Sequence, residues 1–73
     1  MNDCINLLDV VALAEDLPPH HLSRGQVGTV VECLEPDVYE VEFSDNDGHA
    51  YETVALRSDQ IIVLHYEPAS QAN

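Results

Sequence analysis

QVGTVVECL (26–34), EPD (35–37), VYEVEF (38–43), SDNDG (44–48) and HAYETVAL (49–56) follow one another without a gap. Three apolar runs are separated by two turn signals, and that pattern decides the fold. In Val38–Phe43 the residues Tyr39, Val41 and Phe43 alternate with Glu40 and Glu42. Period-two alternation is the mark of a strand with one face buried and one face wet. Pro36 fixes φ in the first turn and Asp37 accepts local backbone bonds. Asp45, Asn46, Asp47 and Gly48 supply the left-handed backbone a hairpin connection needs. Gly25 and Gly28 flank Val27 in the longest run, and a glycine inside a strand predicts a bulge or a sharp bend. The stretch therefore reads as a three-strand meander.

Working outward, Leu7–Leu13 (LLDVVAL) is too short for a helix and predicts a first strand. Leu8, Val10 and Ala12 alternate with Asp9, Val11 and Leu13, so both faces carry apolar residues and partial cover on both sides is expected. Residues 14–26 form a long loop in which Pro18 and Pro19 block ladder pairing, with Leu17 and Leu22 as the residues that pin it to the body. Arg57–Gln60 predicts one tight helical turn, and Ile61–Leu64 a closing strand that a partner could extend at its edge. From Tyr66 onward the chain reads as a tail. The expected fold is all-β: a small five-stranded SH3-like barrel over residues 1–65, with a long proline loop after the first strand, one helical turn before the last, and a flexible tail at 66–73.

The 73-residue chain has an apolar fraction of 45%, too high for a disordered acidic chain. The core should be mostly aliphatic, since there is no Trp and a single Phe. Cys33 falls in a strand pattern and is expected inside as a small hydrophobe; Cys4 lies in a frayed terminus. Neither has a CxxC partner, no basic leader precedes them, and no run suits a membrane span. A reduced cytoplasmic protein is the expectation.

Two resemblances are carried by these residues. Arg24–Leu34 (RGQVGTVVECL) resembles the KOW-type signature of SH3-like domains, with its Gly-x-x-Gly-x-Val stretch. The longer run resembles a small bacterial and cyanobacterial family of unknown function. Its pattern stands here as Leu7–Leu13, Asp16–Pro18, His21–Glu32 (His21 replacing the usual glycine), Tyr39–Phe43 and Ile61–Leu64. That resemblance implies the fold, and a likeness to small partner or antitoxin-like proteins. KOW domains often bind RNA, but binding phosphates requires Lys and Arg. This chain has 14 carboxylates against two basic residues and a net charge of −12. Nucleic acid and anionic membranes are excluded as direct partners on that ground.

The charge is instead the candidate site. Glu32, Glu40, Glu42 and Glu52 come from consecutive strands, and Asp45 and Asp47 from the hairpin between two of them. If their outward faces coincide, they make one acidic patch able to dock on a basic protein. Catalysis is not expected: there is no nucleophile signature, and a carboxylate pair means little where carboxylates are everywhere. No cofactor or metal is expected either. His20 and His21 would need further donors to hold zinc, and the Asp45–Gly48 start of a calcium-type loop lacks the rest of that loop. The expected function is a non-catalytic acidic module that neutralises or docks onto a basic partner, as an antitoxin or immunity protein would. The alternative is an accessory subunit of a larger complex, docking through its apolar edge and loop.

Overall fold

The computed structural model describes residues 5–65. It is all-β, with strands β1 (Val10–Leu13), β2 (Val27–Glu35), β3 (Val38–Ser44), β4 (Ala50–Arg57) and β5 (Ile61–Val63). All pair antiparallel in one five-stranded sheet of order β4-β3-β2-β1-β5. Short 3₁₀ turns cover Pro18–His20 and Ser58–Gln60. The long loop after β1 and the helical turn before β5 stand where the sequence places them. The proposed tail at 66–73, Cys4 and Tyr66 lie outside the described residues.

One core holds the sheet together. Val11 and Leu13 of β1, Val30 of β2, Tyr39, Val41 and Phe43 of β3, Val54 and Leu56 of β4 and Ile61 of β5 share a single buried cluster. Residues from the two edge strands meet in it, so the sheet curls into a barrel-like shape around its own side chains. The core is mostly aliphatic, as expected, with Tyr39 and Phe43 as its two aromatic members and Phe43 its largest fully buried side chain. Among the described residues no Asp, Glu, His, Arg or Cys is buried.

Local chemistry explains each connection. The loop after β1 is closed by a two-way bridge: Leu17 N–H donates to the Leu22 carbonyl at 2.8 Å, and Leu22 N–H to the Leu17 carbonyl at 3.2 Å. Leu22 is buried and Leu17 packs against the core, the pinning role expected of both. The Gln60 side chain caps the second 3₁₀ turn, its Oε1 accepting from Arg57 N–H at 2.8 Å. In the β3–β4 hairpin, Gly48 takes φ +84° and its N–H donates to the Asp45 carbonyl at 3.0 Å.

Three expectations are corrected. The first strand starts at Val10 rather than Leu7, because Asn6–Asp9 forms a tight turn. Asp9 N–H donates to the Asn6 carbonyl at 3.0 Å, and the Asp9 carboxylate accepts from Asn6 N–H at 2.8 Å. Gly28 does not mark a bulge: the register is regular there. It stands directly opposite Phe43, and a Cβ there would meet Val41 Cγ1 at 2.8 Å, the Glu42 carbonyl oxygen at 2.9 Å and Phe43 Cδ1 at 2.9 Å. It is glycine because β3 packs too closely for anything larger. Cys33 is exposed, not inside. Register shifts fall on both sides of it, between Val30 and Glu32 and between Cys33 and Glu35, and residues 31–35 run beyond the cover of the core.

Two substitutions should move stability in opposite directions in denaturant unfolding. Gly28→Ala should cost about 1–3 kcal/mol by overpacking the β2–β3 contact. Leu8 holds φ 72° while 68% exposed, a left-handed backbone that glycine adopts freely. Leu8→Gly should raise stability by about 0.5 kcal/mol, the ~1 kcal/mol left-handed penalty less the added entropy of the unfolded chain.

Candidate acidic face

The register settles which carboxylates share a face. Glu32 pairs directly with Glu40, and Glu40 with Ala55. Glu42 pairs with Thr29 on one side and Thr53 on the other. The neighbours of Glu40 and Glu42 along β3 are the core residues Tyr39, Val41 and Phe43, so both glutamates point away from the core. Glu32, Glu40 and Glu42 thus coincide on the outward face. None of the three side chains has a hydrogen bond or ion pair among the described residues.

Glu52 does not join them. It pairs with Phe43 and shares the strand parity of Val54 and Leu56, which places it on the core-facing side at the end of β4. The outward placement expected of it is corrected: there it meets the proline loop, where His20 Nδ1 lies 2.7 Å from Glu52 Oε2. That contact ties the loop to β4. It also commits His20 to a structural partner, while neighbouring His21 ends the 3₁₀ turn with φ 58°.

Asp45 and Asp47 sit at the hairpin tip, both exposed. Asp45 Oδ1 accepts from Asp47 N–H at 2.9 Å and from His49 N–H at 3.0 Å, which is turn chemistry. Asp45, Asp47 and His49 bring one ligand atom each within 4.8 Å of one another, all three exposed. Neither described arginine makes an ion pair with Glu32, Glu40 or Glu42: Arg57, opposite Val38 on the outward side of β4, pairs with Asp59 at 3.0 Å, and Arg24 lies in the loop after β1.

The outward face has a second half that the charge pattern alone does not reveal. Ala12 pairs with Ile62 on one side and Val27 on the other, and Val10 pairs with Thr29. Ile62 is 56% and Val27 48% exposed. The signal was present in Leu7–Leu13 and Ile61–Leu64, which are apolar on both strand faces, where a strand with one wet face would alternate. Tyr51 is 47% exposed, and its hydroxyl accepts from Gln26 Nε2 at 2.6 Å.

These features define a small acidic all-β domain whose sheet presents unpaired glutamates on its outward side. The chain belongs to a family described as a domain of unknown function (DUF4926), which matches residues 7–63. No curated protein and no solved structure matches it. Among the described residues no helix is long and apolar enough to cross a membrane.

Directly opposed like charges weaken a sheet by about 0.2–1 kcal/mol per pair. Glu32→Gln should therefore raise the free energy of unfolding by about 0.2–1 kcal/mol, read from denaturant titration. Glu52→Gln should lower it slightly and speed amide exchange in residues 17–22, because the loop loses its tie to β4.

Proposed function

We propose that this protein is a non-catalytic binding module that docks onto a basic protein and neutralises it, in the manner of an antitoxin or immunity protein. The observation that carries this reading is the coincidence of Glu32, Glu40 and Glu42 on one outward face, where the one nearby cation, Arg57, is paired with Asp59 instead. A face that keeps Glu32 opposite Glu40 bears a repulsion that a basic partner would relieve. The net charge of −12 adds long-range steering toward a cationic surface. Asp45 and Asp47 extend the field at the hairpin end, while Glu52 serves the loop and contributes through charge alone. The absence of any buried Asp, Glu, His or Cys among the described residues leaves no desolvated group to tune as a catalytic acid, base or nucleophile. Action inside a reduced cytoplasm, as a bacterial protein, fits the reading.

A second reading has one observation in its favour. Ile62, more than half exposed, lies on the edge strand β5, and an accessory subunit could dock through that edge and the proline loop into a larger complex. Salt separates the two. A partner captured from source-cell lysate on the immobilised chain should elute at moderate salt if electrostatic docking holds it, and should persist through high salt if the apolar edge does.

With that partner purified, Glu40→Lys combined with Glu42→Lys should slow association about tenfold or more and flatten its salt dependence. Glu52→Lys should change the association rate by only about twofold, because it lies off the face. Unchanged kinetics in the double variant would remove this face as the docking surface.

A further inference from the structure

The outward face is divided lengthwise. On one side Val10, Ala12 and Ile62 make an apolar strip over β1 and β5, continued by Val27 at the start of β2. On the other, Glu40 and Glu42 stand on β3. Between them β2 presents Thr29, a small residue flanked by Val10 and Glu42. Strands β1 and β3 are two strand spacings apart, or ~10 Å. An α-helix with its side chains is about 10–12 Å across.

We propose that this face receives an amphipathic basic helix of the partner protein, lying along β2 over Thr29. The inference rests on the basic-partner reading above and specifies the element that docks. The helix's apolar stripe would cover Ile62, Ala12 and Val27, and its Lys or Arg residues would reach Glu40 and Glu42, with Glu32 at the far end. Charge selects this occupant over a second copy of the chain, whose own face carries the same glutamates at a net charge of −12. A helix also suits the pattern better than an added strand. A strand would pair at the β4 or β5 edge and leave the centre of the face open, whereas a helix covers a sheet face without needing an edge. Leu8 is consistent with the same surface. Its amide donates to the Val30 carbonyl at 2.7 Å, which fixes the turn beside the bulge that precedes Glu32. There the chain holds a left-handed leucine at 68% exposure, keeping an apolar side chain in solvent.

The probe is an amphipathic peptide of leucine and lysine, about 18 residues long with its leucines at helical spacing, set against a scrambled peptide of the same composition. Both are titrated into the full chain. The patterned peptide should bind about tenfold tighter than the scrambled one and become helical on binding. Val27→Ser with Ile62→Ser, at two exposed positions, should abolish that advantage while leaving the circular dichroism of the chain unchanged. Glu40→Lys with Glu42→Lys should weaken both peptides, and reversal of Glu15, in the loop after β1 and outside this face, should not. Equal binding of the two peptides would overturn the helix while leaving the basic-partner reading standing, provided the Glu40 and Glu42 reversal still weakened both. Insensitivity to that reversal would end both readings. A dimer in light scattering that Ile62→Ser dissolves would assign the face to a second copy and overturn the proposal.

Discussion

The fit of Phe43 against Gly28 is the contact on which the rest of the structure depends. β3 is the central member of the meander, and Phe43 is the largest of its fully buried side chains. The space it fills exists only because β2 has no side chain opposite it. A close β2–β3 approach at that point brings Val30 against Val41 in register, and the same register fixes every outward residue of both strands. Because the side-chain period is two, a slip of one residue would turn Glu40 and Glu42 inward. The core and the acidic face are consequences of a single pairing.

With so small a core, the chain has no interior in which to hide charge. A domain of this size sits near the lower limit for folding unaided, and each buried carboxylate would cost more than its core could offset. All the described ionisable groups apart from the partly screened tyrosine hydroxyl at Tyr39 are accordingly kept out of the core, where Tyr39 itself anchors the β2–β3 turn through the Pro36 carbonyl at 3.2 Å. Two arginines cannot balance what reaches the surface. One of them, Arg57, stands on the outward side of β4 but is paired with Asp59, so it forms no ion pair with the glutamates of the sheet face.

Strand identity, the turns and the class of fold were legible because period-two alternation and turn chemistry are local signals. Val38–Phe43 shows this best: its inward and outward residues follow from alternation alone. The errors fall where tertiary context intervenes. Cys33 reads as a core position because it continues the β2 pattern, but no local signal says where the cover of the core ends. Glu52 reads as outward because a glutamate in a strand usually is, yet its parity depends on the pairing of β4 with Phe43. Gly28 could be flagged as special from sequence, but only the neighbouring strand shows that close approach rather than a bulge is the reason. The apolar half of the outward face was visible as strands with two apolar faces, without any indication of which strands would lie side by side.

The two halves of that face constrain one another. An apolar strip alone would be a liability for self-association, which the shortness of the edge strand β5 only partly offsets. A row of glutamates alone would be an ordinary solubilising surface. Set side by side in one register, the glutamates would keep like copies apart while leaving the apolar strip accessible to a partner of opposite charge. On the proposed reading, the charge at Glu32 and Glu40 would discriminate as well as strain: it would disfavour the chain's own copies and be relieved by a cationic partner. Specificity of this kind would come from the arrangement of charge beside apolar area, so that a change at Val27 or Ile62 would bear on affinity while a change at Glu40 or Glu42 would bear first on the rate and the choice of partner.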